Sequence, residues 1–306
     1  MELSANSIQG ENAMMAEDYL KIVEEMKTTK GLERSKYSPI WERLWVTKLP
    51  LDKLHPNPDD EFSDPSIGPN YGIVNEYKND FIDGMADIRL STLDPLAKRK
   101  YSTKEPLIVE KLSTGGYRIL NGHHRWLAAK RAGVSSLPVK LINTVSEEKI
   151  IADVEKSKND KCVAFDLDEV LICDNTGYLA DKPPFFPFNK ICAESVRLNA
   201  GALMSELQNS GFDVWVYTGN FVSTEHIKLL LRLHKARRIG VINSIRKGKD
   251  KRLRHSFENK YKIRINVEND GFMLIRHEQK DVSTYEVSSG KEWAAKMLEK
   301  KKEAVS

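Results

Sequence analysis

Apolar and polar positions in the first half of the chain follow the pattern of a small mixed domain. The clearest signal is a β-hairpin, because apolar runs at 106–112 and 117–120 flank the turn sequence Ser-Thr-Gly-Gly. A helix that starts at His123 and is closed by Gly133 follows this hairpin. The same pattern predicts three further elements: a helix at 16–32, mostly helical structure at 74–100 and a strand at 137–143.

The second half of the chain alternates strands with helices. The predicted elements are strands at 162–168, 212–220, 239–243 and 262–270, and helices at about 190–210 and 222–236. Such alternation is typical of an α/β fold, in which parallel strands are joined by right-handed crossovers. The charged stretch before the first of these strands predicts a helical linker.

These patterns divide the 306 residues into two domains with flanking segments, and the fold class is α/β. We expect, in order, an extension with one helix (1–40), a small α+β domain (41–145), a linker (146–160), a domain with a Rossmann-like parallel sheet (161–280) and a helical tail (281–306).

Composition narrows the class of protein. Hydrophobic residues make up 40% of the chain and charged residues 30%, which excludes global disorder. Three cysteines without a Cys-X-X-Cys pair argue against a disulfide framework or a zinc site, and favour a reducing, cytoplasmic setting. The N-terminus lacks the features of a signal peptide, and no apolar run approaches the roughly 20 residues of a membrane span. We therefore expect no membrane partner.

Positive charge is concentrated in one segment. Residues 228–264 contain fourteen Lys or Arg against two acids, Asp250 and Glu258. A segment this basic attracts polyanions such as nucleic acid. The alternative is a solvated helix face followed by a basic loop.

Candidate chemistry lies where the predicted strands of the second half end. The first strand ends in Asp166 and Asp168, the second in Thr218, and the last in Glu268 and Asp270. Because the carboxyl ends of parallel strands meet at one edge of a sheet, we expect these side chains to converge. The alternative for the two aspartates is a structural cap at the start of a helix.

This set of residue types suits phosphoryl transfer. One carboxylate can attack phosphorus while a second acid protonates the leaving oxygen and then activates water. A hydroxyl and a lysine can stabilise the charge on the phosphoryl oxygens. Lys247, Lys249 and Lys251 are the candidates for that lysine, and Lys249 is favoured. Mg²⁺ would offset the repulsion among the carboxylates.

FDLDEVL (165–171) resembles the first motif of the haloacid dehalogenase-like (HAD) superfamily, and VYTGN (216–220) resembles its second. The likeness covers roughly residues 160–275. It implies a phosphatase in which Asp166 is the nucleophile, Asp168 is the acid/base and, through its backbone carbonyl, a metal ligand, and Thr218 is the phosphoryl-binding hydroxyl. It also implies that Asp270 or Glu268 completes a Mg²⁺ site with Asp166. VENDG (267–271) departs from the adjacent aspartates that are usual there.

The HAD-like segment leaves little room for an inserted cap domain, because only about 40 residues separate its first motif from the second strand. Residues 174–189, rich in Pro and Phe, can form only a loop. An open site suits a large substrate or one covered by another domain. The alternative is that this loop simply packs against the body of the domain.

A second candidate site is the stretch NGHHRW (121–126). Gly122 allows close approach of an anion, and His123, His124 and Arg125 then start a helix whose N–H groups favour negative charge. A zinc pair of histidines and a purely structural cap are the alternatives.

The run from Pro106 to Ile142, with LHPNP (54–58) upstream, resembles the ParB/sulfiredoxin superfamily over roughly residues 42–145. The likeness implies nucleotide binding, of ATP, ADP or CTP, at this helix start. The GHHR sequence is similar to the serine-kinase members, although Asn121 stands where those have Asp. A nearby acid would then be catalytic, with three candidates: Asp59, Asp60 and Glu61.

Taken together, the sequence predicts a Mg²⁺-dependent phosphatase acting on phosphomonoesters, with nucleic-acid ends favoured as substrates. The first domain would bind a nucleotide and act as a kinase. Two alternatives stay open: a kinase and phosphatase pair for a small metabolite such as serine, and a nucleotide-gated DNA-binding protein.

Overall fold

The computed structural model describes residues 19–26, 46–64, 66–83, 105–174, 177–243, 251–268, 271–276, 281–286 and 292–305. The chain divides into two compact units, Met1–Ile142 and Asn143–Ser306. The division lies a few residues before the predicted linker.

The first unit is a five-stranded mixed sheet with helices. Its elements are β1 (Thr47–Pro50), β2 (Leu54–His55), β3 (Leu107–Lys111), β4 (Tyr117–Asn121) and β5 (Ser136–Leu141), with α1 (19–26), α2 (Tyr71–Asp83) and α3 (His123–Arg131). The strand order is β1-β5-β3-β4-β2. Strands β3 and β4 form the predicted antiparallel hairpin, and β5 pairs with β3 in parallel. Of the helix predicted at 74–100, only the start lies within the described residues.

Helix α3 supplies much of the first unit's core. Trp126, Ala128 and Ala129 are completely buried, and Leu127 nearly so. Small alanines let the helix approach closely, and α2 packs against α3. The core therefore holds the start of α3, where the candidate phosphate site lies, in a fixed position.

The second unit contains a six-stranded sheet. Its strands are β6 (Lys161–Asp166), β7 (Phe212–Tyr217), β8 (Gly240–Ile242), β9 (Ile263–Glu268), β10 (Gly271–Arg276) and β11 (Asp281–Glu286). The order is β11-β10-β9-β6-β7-β8, and the four strands β9-β6-β7-β8 are parallel. The predicted α/β alternation is confirmed for these four strands. The antiparallel hairpin β10–β11 was not predicted.

The helices of the second unit are α4 (Glu147–Lys156), α5 (Phe188–Ile191), α6 (Ala200–Asn209), α7 (Thr224–Leu233), α8 (Lys251–Lys260) and α9 (Trp293–Val305). The helix expected from about 190 begins only at Ala200, because Val196 and Arg197 are paired with the limb that leaves the first strand. The segment expected as a tail from 281 starts with β11, and α9 buries Trp293 and Met297 in the core of the unit.

Helix α4, predicted as a linker, belongs to the second unit. Ser146 caps it by accepting from the Lys149 N–H at 3.3 Å. Ile150 and Val154 are completely buried, in a cluster that includes Trp215. The helix therefore forms part of the layer that covers one face of the sheet.

No helix within the described residues is both long enough and apolar enough to cross a membrane.

Candidate functional site

The carboxyl ends of two neighbouring parallel strands bring the predicted motifs together. Strand β6 ends at Asp166, which lies opposite Tyr217, the last residue of β7. Thr218 follows directly, and its N–H donates to Ile242 O on β8 at 3.0 Å. Residues about 50 positions apart in the chain thus meet at one edge of the sheet, as the sequence predicted.

Asp166 turns the chain out of the sheet. Its Oδ1 accepts from the N–H groups of Asp168 at 2.7 Å and Glu169 at 2.8 Å. These bonds cap a single π-helical turn, Leu167–Leu171, whose apolar residues are buried. The capping role considered from the sequence is therefore present at Asp166. It leaves the carboxylate of Asp168 for another partner.

Asp168 faces Thr218. The Thr218 hydroxyl donates to Asp168 Oδ2 at 2.7 Å, and the Gly219 N–H donates to the same oxygen at 3.2 Å. The Asn220 N–H donates to Thr218 Oγ1 at 3.0 Å. Thr218 is buried, so this network fixes the Asp168 side chain against the end of β7.

The edge is electrostatically crowded. Burial raises the pKa of Asp166, and the charges of Asp168 and Glu169 add to the effect, although the two backbone N–H bonds oppose it. Burial also raises the pKa of Tyr217, with the Glu268 and Asp166 carboxylates next in importance. Tyr217 is therefore a neutral phenol beside acidic groups.

Two predicted members of the site, Lys249 and Asp270, lie outside the described residues, as does Lys247. Lys251 is described; it begins α8 and is exposed. Glu268 ends β9, the strand next to β6. Within the described part of the chain, no cluster of three His, Cys, Asp or Glu could hold a metal ion.

The NGHHRW element starts α3 as predicted. Gly122 has a φ of 99°, and a Cβ at this position would lie 2.4 Å from Leu107 Cδ2. Only glycine fits there, because the left-handed conformation and the close contact both exclude a side chain. Trp126 N–H bonds to Gly122 O at 3.0 Å and opens the helix.

Both histidines are bound to backbone N–H groups of the upstream loop. His123 Nε2 accepts from Asn57 N–H at 3.1 Å, and His124 Nε2 accepts from Asn70 N–H at 3.0 Å. Phe62 stacks on His123 with ring centres 5.2 Å apart. Burial lowers the pKa of His124, against a smaller opposing effect of Asp60. Because each ring uses a nitrogen as an acceptor, we interpret both as neutral.

Arg125 points into the first unit. Its guanidinium donates to the carbonyl oxygens of Glu105 and Pro106, and lies 3.8 Å from the Glu105 carboxylate. Burial lowers its pKa, with Tyr77 and then Glu105 acting in the opposite direction. The three basic side chains predicted to hold phosphate thus all have partners within the unit.

The candidate acids differ in position. Asp60 Oδ1 lies 3.8 Å from His123 Nδ1 and accepts from the Phe62 N–H. Glu61 begins a short 3-10 turn and is exposed. Sequence reasoning missed the part that Asn57, Phe62 and Asn70 play, since the signal was confined to a Pro-Asn-Pro turn with no indication of its partner.

Comparison with known proteins supports the likeness in the first half. Residues 96–157 match the family described as the ParB N-terminal domain. The match covers the hairpin, α3 and β5, and continues through α4. No curated protein matches the chain significantly.

Solved structures give low overall similarity. The Caulobacter crescentus chromosome-partitioning protein ParB, complexed to the centromeric parS site, is 21% identical, with a TM-score of 0.22 over 37% of this chain and 49% of that one. The same protein complexed with CTP-γ-S is also 21% identical, with a TM-score of 0.23 over 38% and 56%. The chain thus spans about half the length of these ParB chains. A conserved hypothetical protein from Pyrococcus furiosus is 12% identical, with a TM-score of 0.21 over 80% and 96%.

Proposed function

We propose that this protein is a phosphoryl-transfer enzyme whose second unit hydrolyses phosphate monoesters, in the manner of a HAD phosphatase. The observation that carries the proposal is the contact of Asp168 Oδ2 with the Thr218 hydroxyl at 2.7 Å, beside Asp166. Two carboxylates and a hydroxyl from separate motifs meet at the ends of adjacent parallel strands. The parallel order β9-β6-β7-β8, with the aspartate strand inside it, supports the same proposal.

The proposed reaction has two steps. In the first, an Asp166 carboxylate oxygen attacks phosphorus, the ester P–O bond breaks, and Asp168 gives its proton to the leaving oxygen. In the second, Asp168 takes a proton from water, the hydroxide attacks phosphorus, and the bond to Asp166 breaks to release phosphate. Because Oδ2 of Asp168 accepts from Thr218 and Gly219, Oδ1 is the oxygen that we assign to proton transfer.

A divalent cation fits the chemistry of this edge. The Asp166 carboxylate and the Asp168 backbone carbonyl would supply hard oxygen donors of the kind that Mg²⁺ prefers. The third predicted ligand, Asp270, lies outside the described residues. When bound, the ion would offset the repulsion between the carboxylates and the phosphate.

The test is phosphate release in the presence of Mg²⁺ from a panel of esters: 3′- and 5′-phosphorylated DNA and RNA, mononucleotides, phosphoserine and sugar phosphates. Asp166→Asn should abolish release, while Asp153→Asn, which changes an exposed carboxylate on α4, should not. Release that survives in Asp166→Asn would reject the proposed nucleophile. A preference for phosphoserine would support the metabolite alternative over nucleic-acid ends.

We further propose that the first unit binds a nucleotide at the start of α3. The match to the ParB N-terminal domain and the left-handed Gly122 before the helix support this proposal. Since His123, His124 and Arg125 have partners within the unit, the helix N–H groups are the donors that we assign to the phosphates. Titration calorimetry with ATP, ADP and CTP tests this assignment, and heat no larger than with a nucleoside would reject it.

The second candidate function is a nucleotide-gated DNA-binding protein, which the ParB N-terminal match favours. It predicts DNA binding that weakens with salt and changes with nucleotide. Exposed cations at the start of α8, Lys251, Arg252 and Arg254, would contribute. Under this candidate, Asp166→Asn would leave the DNA-dependent function unchanged, which separates it from the phosphatase.

A further inference from the structure

The segment between the π-helical turn and α6 folds back onto that turn. Ile172 pairs with Val196 and Ala180 with Arg197, both antiparallel. The Cys173 N–H donates to Ser195 O, and the Arg197 N–H donates to Leu171 O, each at 2.8 Å. The returning limb is therefore attached to the same turn that carries Asp168.

Two acids of this segment, Asp181 and Glu194, are paired with histidines. One histidine lies in α7 and the other directly follows that helix. Glu194 Oε1 lies 2.7 Å from His226 Nε2, in the helix that follows the Thr218 segment. Asp181 Oδ2 lies 3.3 Å from His234 Nδ1, and its other oxygen accepts from the Asn199 N–H. These pairs attach the loop to α7, the helix that follows β7. Asp174, at the start of the segment, accepts from the Ser195 N–H at 3.2 Å.

The part between these acids, residues 182–193, has the sequence KPPFFPFNKICA. It contains two exposed lysines, Lys182 and Lys190, and no acid. Phe185 is 69% exposed and Phe186 is 75% exposed, so the alternative that this loop packs against the body does not hold for them. The rings of Phe185 and Phe188 meet edge to face at 5.2 Å. We call residues 182–190 the Phe–Lys loop.

Exposed aromatic rings flanked by cations, with no acid among them, are suited to one class of ligand. Nucleobases stack on aromatic faces whatever their sequence, and lysines attract the neighbouring phosphates. An uncharged apolar partner would leave the two lysines without a counterpart. Phosphoserine and the sugar phosphates carry no flat aromatic ring that could stack on a phenylalanine.

We propose that the Phe–Lys loop is the specificity-determining surface of the phosphatase and that it takes the base next to the scissile phosphate of a nucleotide or polynucleotide. Phe185 and Phe186 stack on the base, and Lys182 and Lys190 neutralise adjoining phosphates. The proposal rests on the proposed function, because it assigns the substrate class of the Asp166 site.

The test compares two phosphate esters, a terminally phosphorylated single-stranded oligonucleotide and glycerol phosphate, which has no base. In the Phe185→Ala/Phe186→Ala double variant, the ratio of kcat/KM for the oligonucleotide over that for glycerol phosphate should fall at least about tenfold, chiefly through KM. Leu179→Ala, a 44% exposed apolar residue of the same segment, is the matched control and should keep the wild-type ratio. A double variant with an unchanged ratio would overturn the proposal.

A mononucleotide in the same assay identifies the source of the base. If kcat/KM for the mononucleotide falls as much as kcat/KM for the oligonucleotide in the double variant, then one stacked base is sufficient for recognition. If kcat/KM falls only for the oligonucleotide, then the loop recognises a polynucleotide. In that case Lys182→Gln/Lys190→Gln should reduce the salt dependence of the KM for the oligonucleotide. Both results support the loop as the surface that contacts the base.

Binding separates this inference from the proposed function. The anisotropy of a dye-labelled, phosphorylated oligonucleotide is measured with Asp166→Asn, with and without the two Phe→Ala changes. If the Phe changes abolish binding and the wild-type protein releases phosphate from no ester, then the surface is retained and the phosphatase is rejected. If the protein releases phosphate and the Phe changes alter neither this rate nor oligonucleotide binding, then the phosphatase is retained and the surface is rejected.

Discussion

Asp166 and Asp168 lie two residues apart and have different partners. Asp166 accepts two backbone N–H groups at the start of the π-helical turn, whereas Asp168 accepts from Thr218 and Gly219. The residue types and their approach could be predicted, because strand ends of a parallel sheet converge whatever the details. The division of partners could not, since it depends on the geometry of a turn that has no sequence signature of its own.

The first residue-scale prediction concerns Thr218. Thr218→Val keeps the shape and removes the hydroxyl that donates to Asp168 and accepts from Asn220 N–H. We expect kcat for phosphate release to fall about 10²-fold, by analogy with the loss of one donor to a developing charge. Thr218→Ser keeps the hydroxyl and should stay close to wild type. Equal rates for the Val and Ser variants would contradict the assignment.

The second concerns His124. Its pKa is lowered by burial from 6.5, so the folded state takes up a proton less readily than the unfolded state. The contribution of the neutral His124 ring to stability is therefore complete above pH 6.5. It is lost as the pH falls from 6.5 toward the lowered pKa of the folded state. We expect exchange protection of the Asn70 N–H, which donates to His124, to decrease in this window after correction for intrinsic exchange.

His124→Gln is the matched variant for that measurement. A glutamine can offer an acceptor to Asn70 N–H but does not titrate, so its protection should be independent of pH over the same range. The same pH dependence in both proteins would assign the effect to another group. The partners of His123 and His124 lie 66 and 54 residues away, which explains why the sequence did not indicate them.

At the scale of elements, local pattern predicted the main strands and helices, and it failed where tertiary pairing decides. Val196 and Arg197 lie where a helix was predicted, but they pair with Ile172 and Ala180 in the segment that follows the π-helical turn. Strand β11 (Asp281–Glu286) is polar and, among the strands that the structure describes, pairs with β10 alone, so it lacks the apolar run of a buried strand. Helix α4 has the charged surface of a linker and a buried face of only two residues.

That buried face gives a prediction for α4. Ile150→Ala removes a completely buried side chain and should lower the free energy of unfolding of the second unit by about 2–5 kcal/mol. Ile151→Ala makes the same change at the next, half-buried position and should cost less. Chemical denaturation of the full chain measures both. Two small and equal effects would indicate that α4 is a linker after all.

Close packing of α6 gives another. A Cβ on Gly201 would lie 1.6 Å from His234 O, so the two backbones meet at a position where only glycine fits. Gly201→Ala should destabilise the second unit by roughly 1–3 kcal/mol or more, although alanine favours a helix. Ala202→Gly, at an exposed position of the same helix, calibrates the helix preference at about 1 kcal/mol. A more stable Gly201→Ala protein would contradict this packing.

At the scale of the whole molecule, the sequence predicted two units and the α/β character of the second. This was possible because the spacing of apolar residues within short segments distinguishes strands from helices. The strand order β9-β6-β7-β8 could not be predicted, since pairing between distant strands leaves no local mark. The order matters for the proposed function, because it puts Asp166 between the ends of β7 and β9.

The measurement that tests the central claim most directly is a search for phosphate bound covalently to Asp166. Asp168→Asn is mixed with Mg²⁺ and nitrophenyl phosphate, whose leaving group needs no proton, and then quenched in acid and analysed by peptide mass spectrometry. We predict one added phosphoryl group on the peptide that contains Asp166, and none when Asp166→Asn is also present. Turnover by the wild-type protein with no phosphorylated Asp166 peptide in the variant, or with the group on another residue, would contradict the account.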